Sequence, residues 1–480
     1  MRRFDSNVQV VKNEVLREVA KCLWEGTQVF TVFDEIASVI IKEDAPLRSC
    51  CIYKDRAKLA ERIKLALGGN RANNNVIEVI SLICDECPEA GHVVTDLCRG
   101  CLAHACEGAC RLGAITYTPE NRAKIDKSKC VECGQCAKAC PYTAIHNFKR
   151  PCETACVPGA IHMAKTGEAV ITEEKCTHCG ACVSRCPFGA AVDKSFISDV
   201  IRMILDSENN SKYPVVAVLA PAIASQCPPA SYGQTITALH QLGFAEVHEA
   251  AYGADIVAYE ESIEIEEKGE LLSSCCPAFV TYVEQKHPNL ADKMSEMPSP
   301  MVVTGKLIKQ NNPDAKVVFI GPCTAKKAEI KLDKAAPFVD SVLTFEELAA
   351  LFDSRDIVVQ NLEETPLDEA TGYGRRFAHA GGVIGALQRS LEERESDFEV
   401  NAISTTGLSQ IKTTLLKASK GVLNENYIEG MACDGGCIRG AGCLRKIDKN
   451  ANRTDEHAAE ASHTSIKENV ASCVFPSHNT

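Results

Sequence analysis

The chain has 480 residues, which is enough for two or three domains that each bury a core of their own. Its net charge of −12 excludes a nucleic-acid surface, which needs a basic stripe, and adsorption to anionic lipid. The sequence has no apolar stretch of about 18 residues that could span a membrane, and its first residues have no apolar core like a signal peptide. We therefore expect a cytoplasmic protein with small soluble partners, no nucleic acid and no membrane.

Residues 1–80 have apolar side chains at a helical period, which predicts a small helical N-terminal domain. The segment contains Cys22 and the neighbouring pair Cys50 and Cys51, without further cysteines at ligand spacing around them. Free cysteines are commonly core residues, so these thiols are interpreted as buried or incidental. The apolar positions of the first helix are Val8, Val11, Val15, Val19 and Leu23.

Cysteine dominates the next segment, residues 81–205, which holds 16 of the 27 cysteines of the chain. Disulfides are rare in a reducing cytoplasm, so cysteines at this density indicate bound metal. A segment this rich in Cys, Gly and Pro cannot build an ordinary apolar core, and its stability must come largely from the metal. We predict a ferredoxin-like iron–sulfur domain here for the following reasons.

Two runs in this segment have the spacing Cys-x2-Cys-x2-Cys-x3-Cys-Pro, the bacterial ferredoxin signature. In that signature three cysteines bind one [4Fe-4S] cluster and the fourth crosses to the other cluster. The rule predicts one cluster on Cys130, Cys133, Cys136 and Cys186, and another on Cys176, Cys179, Cys182 and Cys140. A zinc ribbon also uses Cys-x2-Cys pairs, but it needs only four ligands and no Cys-Pro ending.

Eight cysteines of the segment remain, and they resemble the further motifs in electron-transfer subunits of molybdenum oxidoreductases. The same crossing rule gives a third cluster on Cys98, Cys101, Cys106 and Cys156. It leaves Cys84, Cys87, Cys152 and Cys110 for a fourth cluster. Because Cys84 and Cys87 lie far from Cys152 in the sequence, a zinc site or free thiols remain the alternative for that last set. The prediction is two to four accessory [4Fe-4S] clusters.

Residues 206–450 are predicted to form an α/β domain, because apolar runs typical of buried parallel strands alternate with helical stretches. The clearest strand runs are residues 214–220 and 316–320. The overall fold class is thus a multidomain α+β and α/β protein. Residues 451–480, rich in Ala, Ser, His and Asn, are expected to form a loose or docking tail.

Three cysteine motifs fall at strand-to-helix junctions of the α/β domain, where such folds place their chemistry. The first is Ser-Ser-Cys275-Cys276-Pro, the second is Gly-Pro-Cys323-Thr-Ala-Lys326, and the third is Met431-Ala-Cys433-Asp-Gly-Gly-Cys437. Four thiolates gathered from three loops would hold one more cubane cluster. From the residues alone, the motifs indicate another iron–sulfur site and nothing more specific.

In order, spacing and flanking residues, the three motifs resemble the signature motifs of FeFe-hydrogenases, and the resemblance covers residues 210–445. It implies a two-lobed catalytic domain and an H-cluster, which is a [4Fe-4S] cluster bridged to a di-iron subcluster with CO, CN and dithiolate ligands. Cys276, Cys323, Cys433 and Cys437 would bind the cubane, and Cys437 would be the bridge. Cys275 would stay free of metal.

The resemblance also implies a proton route and a pocket. Cys275 would pass protons to Glu261, Ser295 and Glu264, and a thiol of tunable pKa suits that role. Lys326 would donate a hydrogen bond to a cyanide ligand. The positions that match the lining of the pocket are Ala220, Pro221, Ser299, Pro300, Phe377, Gly381, Gly382 and Met431.

Some positions depart from the usual motifs, and the chain resembles a divergent, monomeric branch of the family. Gly321 stands where Met is common, Met301 where Gln is common, Ala222 where Ser is common, and Phe279 where Trp is common. The expected function is hydrogen evolution or uptake, with ferredoxin or a similar carrier as electron partner and with di-iron maturation proteins. The alternatives are a hydrogen sensor with slow turnover and an electron-transfer or scaffold protein without di-iron.

Overall fold

The computed structural model describes residues 3–27, 33–41, 51–70, 72–88, 90–164, 166–446 and 451–472. Cys50 and Cys473 lie outside these ranges. Within the described ranges, no helix is long and apolar enough to cross a lipid bilayer.

Three helices form the N-terminal part: α1 (Asn7–Trp24), α2 (Phe33–Ile40) and α3 (Ile52–Ala66). Helix α1 begins at a capping box in which Gln9 N–H donates to the Ser6 hydroxyl and the Gln9 side chain accepts in return. Val15, Leu16 and Val19 of α1 are buried in the same core as the central strands of the large α/β region. The N-terminal helices therefore do not have a core separate from it.

The cysteine-rich region is built from four two-stranded antiparallel ladders. They are β1 (Ile77–Val79) with β8 (Ala191–Asp193), β2 (Gly91–Val94) with β5 (Ile145–Phe148), β3 (Ile115–Tyr117) with β4 (Ala123–Ile125), and β6 (Ile161–Met163) with β7 (Ala169–Ile171). Short helices lie between them: α4 (Ser81–Cys84), α5 (Ala105–Gly108), α6 (Gln135–Ala139), α7 (Pro151–Ala155) and α8 (Ala181–Arg185).

These ladders form two nested modules. The inner module, residues 91–148, contains β2 to β5 and is inserted between Cys87 and Cys152 of the outer module. The outer module is closed by the pairing of β1 with β8, which joins its two ends across more than 100 residues of chain. Sequence order alone does not reveal this nesting.

The large α/β region contains two parallel sheets. The first has the order β10-β9-β12-β13 and the second β11-β15-β14. The strands are β9 (Val215–Leu219), β10 (Glu246–Glu249), β11 (Leu271–Leu272), β12 (Lys316–Ile320), β13 (Ser341–Leu343), β14 (Ala402–Thr406) and β15 (Tyr427–Met431). The two strand runs predicted from the sequence correspond to β9 and β12, and every residue of β9 is buried.

Helices surround both sheets, as parallel strands require. They are α9 (Ile197–Asp206), α10 (Tyr232–Leu242), α11 (Ala250–Lys268), α12 (Pro277–Lys286), α13 (Pro300–Asn311), α14 (Ala325–Glu329), α15 (Phe345–Ser354), α16 (Gly372–Arg376), α17 (Gly382–Glu393) and α18 (Leu408–Ser419). Helix α15 packs against α1 and connects the N-terminal helices to the first sheet.

The C-terminal segment docks on the α/β region. Helix α19 (Ala451–Ala459) packs on α16, and α20 (Ile466–Ser472) packs on α11. Arg375 Nη1 donates to the His457 carbonyl at 3.0 Å, and Asn469 Nδ2 donates to Asp255 Oδ2 at 3.0 Å. The described part of the tail, residues 451–472, therefore packs on the α/β region.

Candidate iron–sulfur centre and its cysteine groups

The four cysteines predicted to bind the cubane come from loops of both sheets. Cys276 caps the start of α12, Cys323 lies between β12 and α14, and Cys433 and Cys437 follow β15. Because β12 belongs to the first sheet and β15 to the second, the cysteines bring together loops of both sheets.

The thiols of this set are close enough to affect one another's ionisation. Burial, with Cys323, Cys437 and Cys276 nearby, raises the pKa of Cys433 well above its usual range. Burial, together with Cys276, raises the pKa of Cys323 to about 11. Buried thiols that resist ionisation individually are deprotonated when they bind metal, so metal binding at this place would release protons.

Cys275 lies beside this set, and its thiol is also buried. Burial raises its pKa well above the usual range, and Cys276, Glu261 and Cys437 raise it further. Its carbonyl accepts a hydrogen bond from Lys326 Nζ at 3.4 Å. The same ammonium pairs with Glu329 Oε2 at 2.7 Å. Burial alone would lower the pKa of Lys326, but the Glu329 carboxylate outweighs it and raises that pKa.

Carboxylates and a hydroxyl connect Cys275 with the surface. Glu261 is fully buried, and burial raises its pKa to about 7. Ser295 lies between the two glutamates: it lowers the pKa of Glu261 and donates to Glu264 Oε2 at 3.0 Å. Glu264 Oε1 accepts from Lys268 Nζ at 2.7 Å, and Lys268 also pairs with the exposed Glu296. The four residues of the predicted proton route are thus brought into one chain of neighbours.

Tyr427 belongs to this chain of neighbours, and the sequence analysis missed it. Its hydroxyl, fully buried on β15, donates to Glu261 Oε2 at 2.7 Å. Glu261 Oε1 has no hydrogen-bond partner by distance and angle among the described residues. A sequence signal existed, because Tyr427 is four residues before Met431 of the third motif, but its contact with α11 depends on the tertiary fold.

Several of the predicted lining residues lie near the candidate ligands. Phe377 and Met431 lie in one buried cluster against which Cys275 packs. Ala220 N–H donates to the Ile320 carbonyl, which puts Ala220 and Pro221 beside the second motif. Ser299 is buried, and its hydroxyl has no hydrogen-bond partner among the described residues. The unpartnered hydroxyl of Ser299 and the buried thiols of the candidate ligands are together suited to a polar cofactor that binds thiolates.

Two of the departures from the usual motifs have a visible structural counterpart. A Cβ on Gly321 would meet the ring of Phe319, so this ring occupies the space that a larger residue at 321 would need. Likewise, the ring of Phe279, which is fully buried, fills the space next to Gly430. Nothing in the structure explains Ala222 or Met301 beyond their burial.

The accessory cysteines are grouped by the ladders. In the ladder β1/β8, Ile80 N–H donates to the Ala190 carbonyl at 2.8 Å and Cys84 N–H to the Ile80 carbonyl at 2.9 Å. Ala190 N–H in turn donates to Cys186 Sγ at 3.2 Å. These three bonds hold Cys84 and Cys186 side by side at the end of the ladder.

The other three ladders repeat this arrangement. Each sets the first cysteine of one motif beside the last cysteine of another: Cys98 beside Cys140, Cys130 beside Cys110, and Cys176 beside Cys156. The pKa shifts agree, because burial, followed by Cys186 and Cys84, raises the pKa of Cys152 to about 11. Cys156 similarly contributes, after burial, to the raised pKa of Cys182.

Four groups of cysteines follow from these contacts. We name them proximal (Cys156, Cys176, Cys179, Cys182), second (Cys84, Cys87, Cys152, Cys186), third (Cys110, Cys130, Cys133, Cys136) and distal (Cys98, Cys101, Cys106, Cys140). Among the described residues, no three metal-binding side chains are close enough to bind a single metal ion. A [4Fe-4S] cluster does not require this, because its four thiolates bind four different iron atoms.

The pairing predicted from the sequence is therefore wrong in its crossing ligands. Cys186 belongs with Cys84 and not with Cys130, and Cys140 belongs with Cys98 and not with Cys176. In the same way Cys156 joins Cys176, and Cys110 joins Cys130. The physical reason is the nesting, because the crossing takes place within each module and the two ferredoxin-type runs belong to different modules. The set of 16 candidate ligands itself is unchanged.

Contacts between the groups give their order. Cys179 of the proximal group is near enough to Cys276 and Cys433 to affect ionisation on both sides. Thr324, next to Cys323, donates to the His178 carbonyl at 2.7 Å and holds this junction. The second group shares the outer module with the proximal group, and helices α7 and α8 pack together there.

The third and distal groups extend away from the α/β region. Glu132, in the loop of the third group, accepts from His92 N–H at 2.6 Å, close to where the inner module begins. Strands β2 and β5, of four residues each, lie between that junction and the distal group. At the usual rise per residue, a strand of this length spans about 13 Å. Arg150 joins the two chain ends between which the inner module is inserted, because it donates to Cys84 Sγ at 3.4 Å and to the Pro88 carbonyl at 3.1 Å.

Comparisons with known proteins match the α/β region and the cysteine-rich region separately. Residues 213–441 match the family model described as the iron only hydrogenase large subunit, C-terminal domain. Residues 123–146 and 169–192 each match a 4Fe-4S binding domain. These two matches cover the cysteine runs of the third and proximal groups together with the neighbouring strands.

Curated relatives include both hydrogenases and assembly proteins. The chain is 31% identical to iron hydrogenase 1 of Clostridium pasteurianum over 48% of each chain. It is 29% identical to the periplasmic [Fe] hydrogenase large subunit of Nitratidesulfovibrio vulgaris over 70% of this chain and 93% of that one. It is 24% identical to the cytosolic Fe-S cluster assembly factor NAR1 of Kluyveromyces lactis over 41% of this chain and 56% of that one.

The alignments with the first two relatives found span only about half the length of those relatives. The family match, the hydrogenase relatives and the 4Fe-4S domains nevertheless agree on one assignment. The chain is an FeFe-hydrogenase-like protein with a ferredoxin-like region that carries 4Fe-4S binding domains.

Proposed function

We propose that this protein interconverts protons and electrons with H2 at an H-cluster, and exchanges the electrons with ferredoxin or a similar small carrier. Cys276, Cys323, Cys433 and Cys437 would hold the cubane, with Cys437 as the bridge to a di-iron subcluster installed by maturation proteins. When bound, that group supplies the redox chemistry of the H–H bond, and the protein supplies ligands, protons and a dry pocket.

The observation that carries the proposal is the buried thiol of Cys275 and what lies behind it. The thiol adjoins the four candidate ligands on one side and Glu261 on the other. From Glu261 the neighbours continue through Ser295 and Glu264 to the exposed Glu296. A buried carboxyl costs stability, so its presence beside Cys275 supports a functional role, and a pKa of about 7 would let Glu261 accept and release protons near neutral pH.

Lys326 and Ser299 would orient anionic ligands of the di-iron subcluster. Lys326 is buried, and its ammonium has Glu329 as counter-ion, so it would stay charged in the pocket. The Ser299 hydroxyl has no partner among the described residues and could donate a hydrogen bond. Ala220, Pro221, Phe377 and Met431 would exclude water around these donors.

The accessory groups support an electron route. The order proximal, second, third and distal would bring single electrons from the far end of the inner module to the cubane site. Hydrogen bonds to cluster sulfurs tune such potentials. Arg150, which donates to Cys84 Sγ, is a candidate for this tuning in the second group. All 16 accessory cysteines have a place in the four groups, so we propose four clusters rather than two or three.

A second candidate is an iron–sulfur assembly or scaffold role without di-iron, which the resemblance to NAR1 of Kluyveromyces lactis favours. A hydrogen sensor is the third, and Gly321 and Ala222 favour it. The scaffold role gives no use to Cys275 or to the glutamates behind it. We therefore place hydrogen turnover first.

The test is hydrogen evolution with a reduced viologen dye by protein that has been matured with its di-iron assembly factors. Replacing Cys275 by Ser should lower the rate by roughly 100-fold or more, the usual effect of losing a proton-transfer group. Iron content and the infrared bands of the CO and CN ligands should stay unchanged, because Cys275 binds no metal.

The matched control is Cys227→Ser. Cys227 is another free thiol outside the cysteine motifs, and it accepts a hydrogen bond from Thr235. This variant should keep the wild-type rate. Equal rates for the Cys275 variant and the wild-type protein would overturn the proposed role of Cys275, and matured protein without CO and CN bands would favour the scaffold role.

A further inference from the structure

The inner module carries an unusual share of exposed apolar side chains. Five of the 14 large apolar side chains that are exposed in the described chain lie between residues 97 and 142. Each is within two residues of a cysteine of the third or distal group. They are Leu97, Leu102, Leu112, Val131 and Tyr142, and Leu102 is 98% exposed.

Three of these residues surround the distal group. Leu97 directly precedes Cys98, Leu102 directly follows Cys101, and Tyr142 is two residues after Cys140. They are therefore where the distal group comes closest to the surface. Loops that only need to enclose a cluster do not need large apolar side chains pointing into water.

The charge of the module is opposite to that of the chain. Residues 91–148 have seven Lys and Arg against five Asp and Glu, whereas the whole chain has a net charge of −12. All seven basic residues are exposed, and Arg99 and Lys138 lie within two residues of distal-group cysteines. An apolar rim inside a basic surface fits an acidic protein partner, because charge steers the encounter and apolar contact holds it.

We propose that the distal end of the inner module, with Leu97, Leu102, Tyr142, Arg99 and Lys138, is the docking surface for a small acidic one-electron carrier protein. This inference rests on the electron route of the proposed function and adds its entry point. In the transfer step one electron leaves the reduced carrier and reduces the oxidised distal cluster, and no bond is made or broken.

The probe for the test is an acidic flavodoxin. Its affinity for the holoprotein is measured by fluorescence anisotropy of labelled flavodoxin, a readout that does not depend on hydrogen turnover. Electron transfer is followed separately, because flavodoxin hydroquinone gives a blue semiquinone when it loses one electron. The double variant Arg99→Gln/Lys138→Gln should bind about tenfold more weakly at low salt, and added salt should weaken the wild type more than the variant.

Leu102→Gln tests the apolar contact, and it should weaken binding at every salt concentration. The matched controls are Lys412→Gln and Leu416→Gln, where both residues are exposed on α18 of the α/β region, outside the inner module. The controls should leave binding unchanged. Three results would overturn the proposed docking surface. They are equal effects of the docking-surface variants and the control variants, an affinity that does not depend on salt, and association between copies of this chain in place of flavodoxin binding. Hydrogen evolution with a small dye is measured in parallel, so a failure of the proposed function is recognised separately.

Discussion

Tyr427→Phe removes one hydroxyl from a buried strand and leaves the ring in place. In the structure this hydroxyl donates to Glu261 Oε2 at 2.7 Å, and both side chains are fully buried. Burial raises the pKa of Glu261 to about 7, while the bond from Tyr427 lowers it by favouring the carboxylate. Without the bond, the pKa of Glu261 must rise.

The size of the rise follows from the strength of the bond. A hydrogen bond to a charged group contributes about 1.5–3 kcal/mol, and one pKa unit corresponds to about 1.4 kcal/mol. The pKa of Glu261 should therefore rise by about one to two units in the variant. Because the carboxyl must lose its proton to pass the next one, the pH profile of turnover should move to higher pH by a similar amount.

Two assays check this prediction. The first is the pH dependence of dye-driven turnover in the matured protein. The second is the infrared C=O band of the protonated Glu261 carboxyl, assigned by its loss in Glu261→Gln and titrated with pH. Tyr282→Phe, which removes the hydroxyl of another buried tyrosine on α12, is the control and should change neither. A carboxyl band that titrates at the wild-type pH in Tyr427→Phe, or at lower pH, would refute the reasoning.

Three further predictions follow from the groups and from buried charges. The double variant Cys110→Ser/Cys133→Ser should lose the iron of one [4Fe-4S] cluster, because both cysteines belong to the third group. An iron count that falls by eight, about two clusters, would contradict the grouping. Arg150→Met should lower the reduction potential of one accessory cluster, measured by EPR titration, since a donor to Cys84 Sγ is removed; Arg99→Gln should leave that potential unchanged. Lys327→Met should lower the free energy of unfolding by about 3–5 kcal/mol, since it leaves Glu347 buried without its cation and Asp193 with Lys12 alone, and urea denaturation would measure it; exposed Lys412→Met should cost less than about 0.5 kcal/mol.

Much of the site could be predicted from the sequence because its signals are local. The spacing of the cysteine motifs and their position after apolar strand runs give the candidate ligands before any fold is known. The strand runs at β9 and β12 are recognisable for the same reason, since strands buried on both faces are continuously apolar.

The crossing ligands could not be predicted, because they depend on which strands pair. The ladder β1/β8 joins segments more than 100 residues apart, and nothing in the spacing of Cys84 or Cys186 indicates that pairing. The role of Tyr427 could not be predicted for a similar reason, since its hydrogen-bond partner Glu261 is 166 residues away in the sequence. The N-terminal helices could be recognised by the helical period of their apolar residues. That period does not indicate that their apolar face packs into the core of the α/β region.

The measurement that tests the central claim most directly is the infrared spectrum of the matured protein, recorded together with gas analysis. A composite iron centre held by Cys276, Cys323, Cys433 and Cys437 predicts sharp bands from CO and CN ligands and hydrogen release when reduced dye is added. A protein that takes up iron in cubane clusters alone, with neither bands nor gas under the same maturation, would contradict it.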